Sequence, residues 1–150
     1  MGKHLFALVA GLIFAFALVG AAVAETPDDA KTLVLKAAEE LAHVGKAKAY
    51  AEFQEKGGAY WQGDLYVFVF NMEGIWEAYP PKPEAVGVSF LGIRDVDGKE
   101  FVKDMIEVAK TSGEGWVDYK WKNPITKKIQ PKTSYIKRVG DVFLGVGVYK

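Results

Sequence analysis

The chain has no cysteine and only two histidines among its 150 residues. The first absence excludes a disulfide framework, a lipid-attachment cysteine and a thiolate metal site, so stability must come from packing. Only His43 lies beyond residue 24, which excludes the usual zinc sets as well. An excess of charge is missing too, with 19 Lys and Arg against 19 Asp and Glu. That balance argues against nucleic acid as a partner. No long apolar run follows Glu25, so nothing beyond that point reads as a membrane span. There is no internal repeat and no low-complexity tract.

The first segment is apolar. Leu5–Ala24 carries no charge, follows a basic Lys3 and ends in Ala22-Val23-Ala24 before the polar Glu25-Thr26-Pro27, the pattern of a secretory signal peptide cut between Ala24 and Glu25. Residues 1–24 are therefore expected to be a leader and 25–150 a single domain, periplasmic or secreted. The rival is an uncleaved inner-membrane anchor, because the run just reaches the roughly 20 residues that a spanning helix needs. Only then would the protein have a membrane association. Removing the leader leaves 126 residues near −1 in charge, enough for one core without staples. Four Trp, seven Tyr and nine Phe supply that core, and the Tyr and Trp keep polar tips.

Thr26-Pro27-Asp28-Asp29 reads as a helix start, with Thr26 as N-cap and Pro27 at the first helical position. Leu33, Ala37, Leu41, Val44 and Phe53 form an apolar stripe, Gly57-Gly58 ends the helix, and Gly45 is where it bends or breaks. From residue 64 the texture becomes β-rich. Leu65–Phe70 is apolar throughout, as in a strand covered on both faces, and a turn through Gly74 returns it to Ile75–Tyr79 as a hairpin. Pro80, Pro81 and Pro83 make residues 80–98 a loop. A second helix follows from Lys99, with Phe101, Val102, Met105, Ile106 and Ala109 as its buried stripe. Gly115–Trp121, Lys132–Val139 and Val142–Tyr149 are the remaining strands. The sum is an α+β domain: a long N-terminal helix packed on a five-stranded antiparallel sheet, with the loop and second helix covering the other face above a cavity.

Several of these residues fall into a recognisable order: Gly63-Asp-Leu-Tyr-Val-Phe-Val-Phe70, Gly74, Pro80, Pro83-Glu84, Val86-Gly87 and Asp97-Gly98-Lys99. They continue with Gly115-Trp-Val-Asp-Tyr-Lys-Trp121, Asn123-Pro124, Pro131-Lys-Thr-Ser-Tyr135 and Gly145-Val-Gly-Val-Tyr149. Over residues 33–150 this series resembles the extracytoplasmic single Cache domain. The resemblance implies a PAS-like fold whose cavity holds a small organic molecule, often a short carboxylate, and a sensing role exercised in most members within a chemoreceptor or histidine kinase. Ending at Lys150, one residue after the last strand, the chain is similar to the standalone soluble members, for which a membrane receptor or kinase would be a separate partner. Tyr79 stands where many relatives carry a His before Pro80. It can donate a hydrogen bond but stays neutral at pH 7.

The candidate anion ligand is Lys132. On a strand Lys132 and Ser134 share one face and Tyr135 the other, so an ammonium and a hydroxyl could converge on a carboxylate beside an aromatic wall. The alternative is an edge-strand lysine that blunts aggregation; the resemblance favours the ligand role. The same period places Tyr66, Phe68 and Phe70 on one face and Val117, Tyr119 and Trp121 on one face, without saying which face meets the cavity. Tyr66, Phe68, Tyr79, Tyr119, Trp121 and Tyr135 are the aromatic candidates, and Arg94 is a second cation. Asp95-Val-Asp-Gly98 lacks the later ligands of a calcium loop and reads as a turn. His43 has no serine nucleophile beside it, and Ser134-Tyr-Ile-Lys137 lies in a β run where the S-x-x-K motif needs a helix. These observations point away from an enzyme and imply no cofactor. The function they support is an extracytoplasmic binding or sensing module; the alternative is a structural or interaction domain that binds no ligand.

Overall fold

The computed structural model describes residues 25–150; the leader, and with it the Ala24–Glu25 junction, lies outside the described residues. Thr26 caps the first helix, α1 (Pro27–Val44): its hydroxyl accepts from the Asp29 amide at 3.2 Å, and the Asp29 carboxylate accepts from the Thr26 amide at 2.8 Å. Ala30, Val34, Ala37, Ala38 and Leu41 form the buried stripe, so Leu33 and Val44, expected in it, sit at its margins. Gly45, at φ 81°, interrupts the helix and begins α2 (Lys46–Phe53). Positive φ is open to glycine and strained for other residues. Of the two outcomes expected at Gly45, a bend or a break, the structure shows the break.

The strands are β1 (Trp61–Gln62), β2 (Leu65–Asn71), β3 (Trp76–Ala78), β4 (Glu114–Lys122), β5 (Ile129–Val139) and β6 (Val142–Tyr149), with α3 (Phe101–Thr111) between β3 and β4. The sheet is antiparallel in the order β1-β2-β6-β5-β4, and β3 also pairs with β2. Six strands stand where five were expected. The sixth, β1, is a dipeptide paired through Trp61 with Tyr66, too short to show a period of two. It shares one edge of β2 with β3, each holding one end of that strand.

The two faces of the sheet carry separate cores. Helices α1 and α2 cover Val67 and Val69 of β2 and Leu144, Val146 and Val148 of β6. On the other face Tyr66, Phe68, Phe70 and Phe143 meet α3 and the loop that precedes it. That is why Leu65–Phe70 is buried at every position. The Asp95–Gly98 turn is pinned to the sheet: Asp95 accepts from the amides of Asp97, Lys99 and Lys120 at 2.9–3.0 Å. Its carboxylate thus caps part of the free edge of β4.

Candidate functional site

Strand β5 lies between β4 and β6, and Lys132 pairs with Tyr119 on one side and Tyr149 on the other. The edge-strand alternative for Lys132 is therefore excluded. Its side chain is 1% exposed, and Nζ donates to the Tyr66 hydroxyl at 3.0 Å. The ammonium also stands 4.4, 4.8 and 5.6 Å from the ring centroids of Tyr66, Tyr149 and Phe68, within reach of cation–π attraction. No carboxylate among the described residues forms an ion pair with it. Burial draws the Lys132 pKa down to about 7, against the weaker opposing field of Asp64. The phenols of Tyr66 and Tyr119 are pushed far up by the same burial. They act as neutral hydrogen-bonding groups.

Glycines on β6 make this placement possible. A Cβ on Gly147 would stand 2.4 Å from Lys132 Cε and 2.3 Å from Ser134 Oγ, and one on Gly145 2.1 Å from Phe68 Cζ. Both glycines leave room on the same face. Ser134, fully buried, shares a hydrogen bond of 2.9 Å with the Tyr119 hydroxyl.

Lys132 opens on a cavity of about 10 Å³, the room a single water needs. Of the expected aromatics, Tyr66, Phe68, Tyr79, Tyr119 and Trp121 all line it, so β2 and β4 present their candidate faces to the same side. The Trp121 indole donates to the Tyr79 hydroxyl at 3.1 Å. Tyr79 therefore acts here as an acceptor. Three expected residues do not line it: Ser134, whose hydroxyl pairs with that of Tyr119, Tyr135 and Arg94. Tyr135 points to the helix-covered face, where its hydroxyl donates to Glu114 at 2.6 Å, as the alternation of a strand requires. Arg94 is exposed, stands 3.7 Å from Glu100, and lines a separate surface cleft with Asp95 and Lys120.

The structure adds residues that sequence reasoning had left in the core. Phe101 and Met105, one helical turn apart on α3, close the cavity, and Phe101 stacks on Tyr119 at 4.5 Å. Trp76 lines it as well, stacked between Phe70 at 3.6 Å and Tyr79 at 4.3 Å. Its indole N–H is buried with no hydrogen-bond partner among the described residues. A buried donor left unpaired opposes folding by about 1–3 kcal/mol. A surface cleft of about 600 Å³ adjoins this cavity and shares Tyr79 and Trp121 with it.

A long helix against an antiparallel sheet, with a small aromatic cavity on the opposite face, is the architecture of PAS-like sensor domains. The sequence matches the Cache domain family over residues 32–150, and the chain belongs to that family. Its fold is similar to that of a methyl-accepting chemotaxis protein from Vibrio parahaemolyticus (TM-score 0.72, 19% identity, 81% of this chain and 86% of that one). It is also similar to a Cache chemosensory domain whose structure describes carboxylic acid recognition (TM-score 0.65, 24% identity, 79% and 86%). In sequence it is 32% identical over 88 residues to the sensor histidine kinase MctS of Rhizobium johnstonii, over 57% of this chain. The match spans 19% of that kinase's length.

Proposed function

We propose that this protein is an extracytoplasmic sensing module that binds a small organic acid, with the carboxylate on Lys132 and Trp76. The observation that carries the reading is a buried Lys132 side chain without a carboxylate partner, lining one cavity with Trp76, whose indole N–H is buried and unpaired among the described residues. A carboxylate is acceptor-only and offers two oxygens, which suits two donors. The carboxylic acid recognition described for a related Cache fold supports the same class. The other polar groups that line the cavity are phenols and the Trp121 indole, a set suited to holding a ligand and poor in acid–base partners, so the role is binding and not catalysis. A membrane receptor or kinase would receive the signal, as the likeness to a sensor kinase suggests. Residues 1–24 would direct export as a cleaved signal, leaving the domain 25–150 in the periplasm.

The size of the cavity favours a second reading, in which the rings fill their own space and the domain serves only as a structural or interaction module. A thermal-shift screen with acetate through hexanoate, amino acids and amines separates the two. Stabilisation by one or more acids is expected; stabilisation by none supports the second reading. For an acid found this way, Lys132→Met should weaken binding by about 1.5–3 kcal/mol, the worth of a hydrogen bond to a charged group, or roughly 10- to 150-fold. Calorimetric titration measures it. Unchanged affinity would remove Lys132 from the site.

A further inference from the structure

The cavity at Lys132 measures about 10 Å³, so even the smallest carboxylic acid needs one of its walls to give. Most of the walls are buried ring stacks, such as Phe70–Trp76 at 3.6 Å and Phe101–Tyr119 at 4.5 Å. Parting those would unpack apolar faces throughout the core. The Tyr79–Trp121 contact is different in kind. It is a single hydrogen bond of 3.1 Å, and Trp121 is only half-buried. Tyr79 is held by its stack on Trp76 at 4.3 Å, whereas Trp121 meets Phe101 and Phe90 only edge-on, at 5.1 and 6.0 Å, so Trp121 is the member freer to move.

Beyond that contact lies the cleft of about 600 Å³. Pro81, Ala85, Val88 and Phe90 give it apolar walls, while Lys82, Lys122 and Lys127 outnumber Glu84 at its rim. Val88 is 47% exposed, an apolar side chain presented to solvent at the mouth of a basic cleft. Three ammoniums there raise the local concentration of anions. Opening Tyr79 from Trp121 would join the two spaces into one, basic at both ends and apolar between.

Resting on the carboxylate reading above, we infer that the ligand spans both spaces: its carboxylate sits at Lys132 and its tail passes between Tyr79 and Trp121 into the outer cleft. The ligand class is then a monocarboxylic acid with an aliphatic or aryl tail, and not a two-carbon acid. The cleft, and not the inner cavity, limits the length of that tail. Trp121 and Val88 become specificity-determining residues.

Calorimetric titration of the protein with acetate, propionate, butanoate, pentanoate, hexanoate and phenylacetate tests this directly. Affinity should rise roughly two- to fourfold for each methylene beyond propionate, as expected for apolar surface leaving water. Val88→Asp, at an exposed position where the fold tolerates a charge, should abolish the gain for hexanoate and phenylacetate while leaving acetate unchanged. Val88→Ser should reduce the same gain without adding charge, and an unaltered thermal midpoint in both variants confirms folding. A flat series, or one in which acetate binds tightest, overturns the inference, as does hexanoate binding unaffected by both Val88 variants. If such a series still depends on Lys132, the carboxylate reading survives and only the tail is lost. If no acid binds, or Lys132→Met changes nothing, both fall.

Discussion

A lysine inside an aromatic core opposes folding unless it is neutral or paired, because the charged form loses its hydration. Lys132 meets that difficulty with a pKa near 7, below the value of about 10.4 for a lysine in an unfolded chain. Between those values the unfolded chain binds the extra proton, so the contribution of Lys132 to stability rises with pH across the window and is least favourable below pH 7. Urea unfolding of the wild type and Lys132→Met at pH 7, 8 and 9 should show the wild type gaining on the variant by about 1.4 kcal/mol per pH unit. Parallel profiles would mean that Lys132 keeps its proton in the core. On the carboxylate reading proposed above, the same titration would govern binding. A carboxylate selects the ammonium, so affinity for an acid should be level just below pH 7 and fall about tenfold per unit above it. Titration of a bound acid in buffers of different ionisation enthalpy would register the accompanying proton uptake; pH-independent affinity from 7 to 9 would contradict it.

Among the elements, β6 makes room for two of the cavity's side chains while lining none of it. Gly145 and Gly147, two residues apart, leave one face of the strand bare, and that space is taken by the Phe68 ring and the Lys132 stem. Phe68 has no easy retreat, being packed edge-on against Phe70 at 6.0 Å and Trp76 at 5.9 Å. Gly145→Ala should therefore destabilise the domain by about 1–3 kcal/mol, the range for overpacked cores. Chemical denaturation reads this, and a neutral result would show that the ring can move. At the other end of the chain, Thr26→Ala removes the side-chain half of the capping box. The expected loss is about 1 kcal/mol. A ligand-binding assay should leave that variant unchanged, since α1 packs on the face of the sheet opposite the cavity.

At the scale of the whole molecule the sheet divides the labour. One face is closed by α1 and α2 over aliphatic side chains; the other holds the aromatic cavity beneath α3 and the proline-rich loop. The Thr26 cap of α1 stands two residues after the Ala22-Val23-Ala24 pattern. Cleavage between Ala24 and Glu25 would leave that cap and every described element intact. N-terminal sequencing of exported protein should read Glu-Thr-Pro-Asp-Asp. A form that retains Met1 and stays with membranes after a carbonate wash would establish an anchor instead.

The order of elements, the two helix starts, the break at Gly45 and the opposition of Lys132 and Tyr135 across β5 were all legible in the sequence. Each depends on local periodicity or on the chemistry of a single residue. The strand Leu65–Phe70 announced burial on both faces for the same reason. What periodicity could not decide is which faces of different strands lie together. Tyr66 of β2 and Tyr119 of β4 share a cavity only because β6 and β5 stand between them in the sheet order. Lys132 is a central-strand residue by the same pairing. Phe101 and Met105 read as ordinary core in the sequence, and Trp76 only as part of a strand, because an apolar ring or thioether carries no local mark of what it will face. Arg94 read as a candidate because its charge was visible and its distance from Lys132 was not. Periodicity is a property of one segment, whereas the cavity is built by strands and a helix distant in the chain, so only the tertiary packing could assemble it.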